Sequence, residues 1–158
     1  MKFFKNTVFI IAAASMIVAA IILITLKNKP TLILSDADTG KVYATFAFDY
    51  DDTFSVSFIH SVNQSEVIDY FKRGDNNKII CFKNKFHSFG AGMPESWPDG
   101  VTIETTHDGI IVNNLDIVLD DVTYVVGTVS DHILTVNNKT ISLSELCGKN
   151  SEVLFKLR

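Results

Sequence analysis

The pattern of apolar and polar positions divides the chain into two unlike parts. From Val8 to Leu26 it reads VFIIAAASMIVAAIILITL, uncharged, with Ser15 and Thr25 its polar interruptions. About 19 residues at 1.5 Å rise make a helix of roughly 28 Å, against a hydrocarbon core near 30 Å. A helix packed on a soluble core keeps a polar face, and this run has none. It is read as a membrane span over residues 8–26, with a cleavable secretory signal as the alternative. Val18-Ala19-Ala20 would suit cleavage, but a cut there leaves Ile-Ile-Leu-Ile-Thr-Leu as an exposed terminus. Apolar length beyond the small residues favours a retained signal anchor, and no cysteine follows to carry a lipid. Lys2 and Lys5 precede the run while Lys27 and Lys29 follow it, so the flanking charge is balanced. A short tail, one span and one long domain are the layout of an anchor with its N-terminus inside. Residues 1–29 are therefore the anchor and its flank at the cell membrane, and 30–158 form one extracytoplasmic domain.

After the linker ending at Pro30 the period becomes two. Alternating or apolar runs at 31–35, 41–48, 53–62, 66–73, 78–82, 101–105, 110–112, 115–119, 122–128, 133–136 and 140–143 read as strands. The breaks between them carry Asp, Asn and Gly, as in His-Asp-Gly at 107–109 and Val-Asn-Asn-Lys at 136–139, residues that accept the positive φ of tight turns. Many short strands at this spacing predict an all-β antiparallel sandwich or small barrel, with one helical turn near Ser144 to Leu146. Residues 85–100, KFHSFGAGMPESWPDG, are too irregular for a strand and too apolar for a disordered loop. Ordered loops on β scaffolds often carry function.

Charge narrows the partners. With Lys2, Lys5, Lys27 and Lys29 set aside, 10 basic residues face 18 acidic ones, a net charge of −8 for the domain. An acidic surface without basic clusters argues against nucleic acid and anionic headgroups. Outside the cytoplasm Cys81 and Cys147 could form one disulfide, although Cys81 in Lys-Ile-Ile-Cys-Phe also reads as a small core residue.

Candidate chemistry gathers around one hairpin and the irregular loop. In 53–62 the even positions Phe54, Val56, Phe58, His60 and Val62 share a face, which points His60 toward the core. A hairpin register pairing His60 with Glu66 matches Phe58 with Ile68 and Val56 with Tyr70, and sets an imidazole beside a carboxylate. The loop adds His87, Ser88, Gly90, Gly92, Met93 and Glu95, and Ser61 adjoins His60. The cluster is either a satisfied structural network or a functional site. Gly90 and Gly92 permit a close backbone approach, but neither a phosphate-loop nor a dinucleotide fingerprint is present, and no cofactor is implied. Zinc on His60, Glu66 and His87 is chemically possible without any local ligand spacing. A serine hydrolase lacks its Gly-x-Ser-x-Gly elbow.

Phe-Ile-His-Ser-Val at 58–62 with Glu66 downstream, then Phe-His-Ser-Phe-Gly-Ala-Gly-Met-Pro-Glu at 86–95 and a late strand around His132-Ile-Leu, resemble an uncharacterised bacterial family. That family is known as a domain of unknown function, often encoded beside TRAP-type transporters of the TAXI subclass. The resemblance implies a small extracytoplasmic β domain with an accessory link to solute uptake, touching the transporter or its solute receptor. It supplies no catalytic residue, and one span cannot form a transport path. Two functions follow as expectations. One is an anchored accessory or interaction domain. The other is a small-molecule- or metal-binding domain, or a hydrolase, centred on His60, Glu66 and His87.

Overall fold

The computed structural model describes residues 15–18, 30–62, 64–87 and 96–158. Residues 15–18 are helical; the rest of the expected span lies outside the described residues, among which no helix is long and apolar enough to cross a membrane.

The described residues of the domain form eleven strands and one short α-helix: β1 (Thr31–Asp36), β2 (Val42–Ala47), β3 (Thr53–His60), β4 (Ser65–Arg73), β5 (Ile79–Phe86), β6 (Thr102–Thr106), β7 (Gly109–Leu119), β8 (Val122–Val125), β9 (His132–Val136), β10 (Lys139–Ser142), α1 (Leu143–Cys147) and β11 (Glu152–Leu157). They form two antiparallel sheets, ordered β2-β1-β11-β8 and β10-β9-β3-β4-β5-β7-β6. The expected sandwich is observed, and neither sheet closes into a barrel. Leu32, Leu34, Val153, Phe155 and Leu157 of the smaller sheet face Phe54, Val56, Phe71, Val112, Leu134 and Val136 of the larger in one buried core. Phe155 stacks on Phe54 at 5.5 Å between centroids, joining the layers.

Several elements depart from the sequence reading. β5 runs on to Phe86, and the two runs expected at 110–112 and 115–119 are one strand, β7. Between them Asn114 and Asp116 adopt φ of 59° and 45°, and the bulge turns Leu115 into the core. β11 was not expected, although Glu-Val-Leu-Phe-Lys-Leu alternates cleanly and buries Val153, Phe155 and Leu157. Cys81 and Cys147 are free thiols; Cys81 is buried in the core.

The ends of the sandwich differ. At one end Pro30 O accepts from Phe48 N–H, and Thr31 pairs with Arg158 in both directions. Buried Arg73 donates there to Phe48 O at 3.1 Å, to Arg158 O and to Asn77 Oδ1. The opposite end collects the β3–β4 turn (61–64), His87 after β5, the β6–β7 turn (107–108) and the β8–β9 loop (126–131). A Cβ at Gly109 would stand 2.5 Å from Phe86 O, so only glycine lets β7 enter beside β5 at this end.

Candidate functional site

All four histidines of the chain fall at the end opposite Pro30. His60 closes β3, His87 follows β5, His107 lies in the β6–β7 turn and His132 opens β9. The strand order brings them there from four separate parts of the sequence.

The register expected for the hairpin is off by one residue. β3 pairs with β4 through His60↔Ser65, Ile59↔Glu66, Phe58↔Val67 and Val56↔Asp69. Because side chains alternate, this single step sends His60 to the core-facing side with Phe58 and Val67, and Glu66 to the outer side with Ile59 and Ile68. The expected His60–Glu66 pairing is therefore not formed. Its apparent advantage was matching Phe58 with Ile68 and Val56 with Tyr70. The observed register instead buries Phe71 and Arg73, and gives Asp69 partners of its own.

His60 is half-buried, and its Nδ1 accepts from Val62 N–H at 3.3 Å. With Ser61 it lines a cleft of about 330 Å³ together with Phe58, Ile59, Val129 and His132. Glu66 and His87 line a different cleft, of about 390 Å³, with Lys85 and Asp108. The β4–β5 ladder ends at Val67↔Phe86, the pair next to Glu66 and His87 in sequence. Glu66 and His87 thus border one cleft, and His60 and Ser61 another. Ser88, Gly90, Gly92, Met93 and Glu95 lie outside the described residues. Among the described residues no three His, Cys, Asp or Glu side chains could hold a metal ion, and His60, Glu66 and His87 do not form the zinc site considered above.

A half-buried polar group between the sheets went unnoticed in the sequence. Tyr124 Oη of β8 donates to Asp69 Oδ2 of β4 at 2.6 Å, across the two sheets. Asn84 Nδ2 of β5 donates to the other carboxylate oxygen and approaches Cys81 Sγ at 3.8 Å. Burial raises the Asp69 carboxyl above its usual range, against the opposing effect of the bonds from Tyr124 and Asn84. Burial also raises the Tyr124 hydroxyl, and pushes the Cys81 thiol up to about 12, so this sulfur is no nucleophile at neutral pH. The group fastens the two sheets at the middle of β4. Its sequence signal was Asp69 sharing the parity of Val67 and Phe71 in Val-Ile-Asp-Tyr-Phe.

His132 continues this layer outward. Its ring stacks on Phe58 at 4.9 Å and lies 5.7 Å from the Tyr124 ring. Nδ1 accepts from Gly127 N–H at 3.1 Å, which leaves the proton of the neutral ring on Nε2. Burial lowers its pKa, partly offset by Asp131, and so favours that neutral form.

A family model matches residues 54–143, more than half of the chain. The chain belongs to the family Domain of unknown function (DUF1850). The DUF1850 match runs from Phe54 at the start of β3 to Leu143 at the start of α1, and so takes in all four histidines and both clefts. β1, β2 and β11, which complete the smaller sheet, lie outside it. No curated protein and no solved structure matches the chain.

Proposed function

We propose that this DUF1850 protein is an anchored extracytoplasmic accessory module that binds a protein partner through its histidine end, in the service of TRAP-type solute uptake. The observation that carries the reading is placement. Pro30, where the domain joins the N-terminal segment, and the end bearing His60, His87, His107 and His132 stand at opposite ends of the sandwich. The eight residues of β3 span the distance between the ends, roughly 26 Å at about 3.3 Å per residue. An anchor at residues 8–26 would hold Pro30 near the bilayer and present the histidine end away from it, within reach of a solute receptor or the outer face of a transporter. The resemblance to a family often encoded beside TRAP transporters is what supports solute uptake as the process served.

Deleting the gene should lower TRAP-dependent solute uptake several-fold, and restoring the full-length chain should recover it. Full-length chain solubilised in detergent should co-purify with the transporter or its solute receptor. Unchanged uptake together with no co-purification contradicts the proposal.

A second reading, small-molecule binding, is favoured by the mixed lining of the larger cleft. Glu66 and Asp108 would face a cationic group while Lys85 and His87 face an acceptor. Calorimetric titration of the full chain with candidate solutes, compared with Glu66→Gln, separates this reading from the first.

A further inference from the structure

The β8–β9 loop, residues 126–131, is fastened at both ends and lightly held between them. Val126 N–H donates to Ser151 O and Val126 O accepts from Asn150 N–H, each at 2.9 Å. At the other end Asp131 accepts from Ser144 N–H at 2.9 Å and from Ser142 Oγ. The stretch between, 127–130, is held by Gly127 N–H on His132 Nδ1 at 3.1 Å and by Ser130 Oγ on Ile59 O at 3.3 Å. Thr128 and Val129 at its tip are exposed, Val129 by 99%, so the tip itself gives up little packing when it lifts.

The bond from Gly127 needs a bare Nδ1. A neutral imidazole that carries its proton on Nε2 accepts there, whereas an imidazolium has only N–H groups to offer. A proton on Nδ1 therefore sets two donors against each other where one bond stood. The turn is closed tightly at this point, since a Cβ at Gly127 would stand 2.0 Å from Ser130 O. It leaves the Gly127 N–H little room to turn aside while the loop keeps its shape.

The ring is better placed to stay than the loop. Phe58 stacks on it at 4.9 Å and Tyr124 lies tilted against it at 5.7 Å, and aromatic faces attract a cation. Asp131, its neighbour in sequence, also favours the charged ring. Although burial raises it, the bonds from Ser142 and Ser144 leave the Asp131 carboxyl below its ordinary range, so it stays ionised while a histidine titrates. The other titratable groups around the ring, among the described residues, are Tyr124 of β8, His60 of β3 in the same cleft, and Asp69 of β4, which holds the Tyr124 hydroxyl.

We propose that the β8–β9 loop is an acid-operated latch: a proton added to His132 Nδ1 releases Gly127 and frees residues 127–130, while the ring keeps its place against Phe58 and Tyr124. Burial holds the His132 pKa below its ordinary 6.5 in the closed form, and release of the loop returns it toward that value. The closed form is therefore fully favoured above about pH 6.5 and loses ground as pH falls through the native value. One neutral hydrogen bond contributes about as much free energy as shifting a single titration by about one unit, so mild acid is enough. Gly127, Thr128, Val129 and Ser130 form one side of the cleft of about 330 Å³ that His60 and Ser61 share, so the latch reshapes that cleft. It does so whatever the identity of a partner.

The test is nitrogen-15 NMR of the full-length chain in detergent micelles, with the histidine rings and the amide exchange followed from about pH 7.5 to about pH 4.5. At the upper end His132 should show the Nε2–H tautomer. Protection of the Gly127 amide, corrected for the intrinsic pH dependence of exchange, should fall at least tenfold, with the midpoint of the His132 titration. Protection in 54–58 and 133–136 should hold. His132→Asn gives Gly127 an acceptor that does not titrate, and should keep that amide protected throughout. His60→Gln and Asp69→Asn should leave the fall in place. The opposite tautomer, protection that stays level while His132 titrates, or a fall that survives His132→Asn overturns the inference. So does a fall abolished by His60→Gln or Asp69→Asn, or one that spreads through both strands as general acid unfolding. If His132→Asn does not fold, agreement or disagreement of the two wild-type midpoints decides alone.

Discussion

Asp69 stands on the core-facing side of β4, where Tyr124 and Asn84 hold its two carboxylate oxygens. Burial raises its pKa above the ordinary 3.8, so the native protein retains a proton that the unfolded chain releases. The stabilisation linked to that proton is full below about pH 3.8 and is lost as pH rises through the native value. Asp69→Asn keeps an acceptor for Tyr124 and removes the titration. Its melting temperature should therefore gain on wild type as pH climbs from about 4 to about 7, and a loss over that interval would contradict the assignment. Asp69→Ala leaves Tyr124 Oη and Asn84 without their shared partner and should cost on the order of 1–3 kcal/mol in urea unfolding. At this scale the sequence was only half legible. The parity of Phe54, Val56, Phe58 and His60 was plain, but the partner of His60 depended on a one-residue register. An aspartate in the core looks prohibitive until a tyrosine from the other sheet supplies its hydrogen bond.

The elements were more legible than their joins. Alternation marked most strands because one face of each meets the core, and Ser142 at the start of α1 accepts from Glu145 N–H as a helix cap should. β7 was divided in two because its bulge at 114–116 interrupts the period, and β5 was cut short because Lys83-Asn84-Lys85 interrupts the apolar run that ends at Phe82. The start of the β8–β9 loop, 126–128, read as a continuation of the strand expected at 122–128, whereas its conformation comes from hydrogen bonds to β3, α1 and the segment before β11 that no local spacing encodes. Gly127 is the residue on which that loop turns. Gly127→Ala must displace Ser130 or reshape the turn, and should lower stability by about 1–3 kcal/mol. It should also weaken the bond from the residue 127 N–H to His132 Nδ1, visible as an upward shift of the His132 pKa in an NMR titration. An alanine variant with wild-type stability and an unmoved His132 titration would show that the loop is not held this way.

For the whole molecule, the sandwich and its acidic charge followed from period and composition, whereas the gathering of four histidines did not. They lie between 20 and 27 residues apart along the chain, too far for any motif, and meet because β3, β5, β6 and β9 begin or end on the same side. The uncharged apolar run at 8–26 predicts that full-length chain stays in the membrane fraction after a carbonate wash. Mature protein beginning near Ile21 would contradict that. The proposed polarity of the domain, with an anchor at one end and partner binding at the other, is tested most directly by hydrogen–deuterium exchange of the full-length chain in membranes, with and without the solute receptor and transporter. The partner should slow exchange in residues 59–66 and 126–132 at least several-fold and leave 49–53, 74–78 and 137–139 unchanged. Protection confined to the second set, beside Pro30, would contradict the proposed working end.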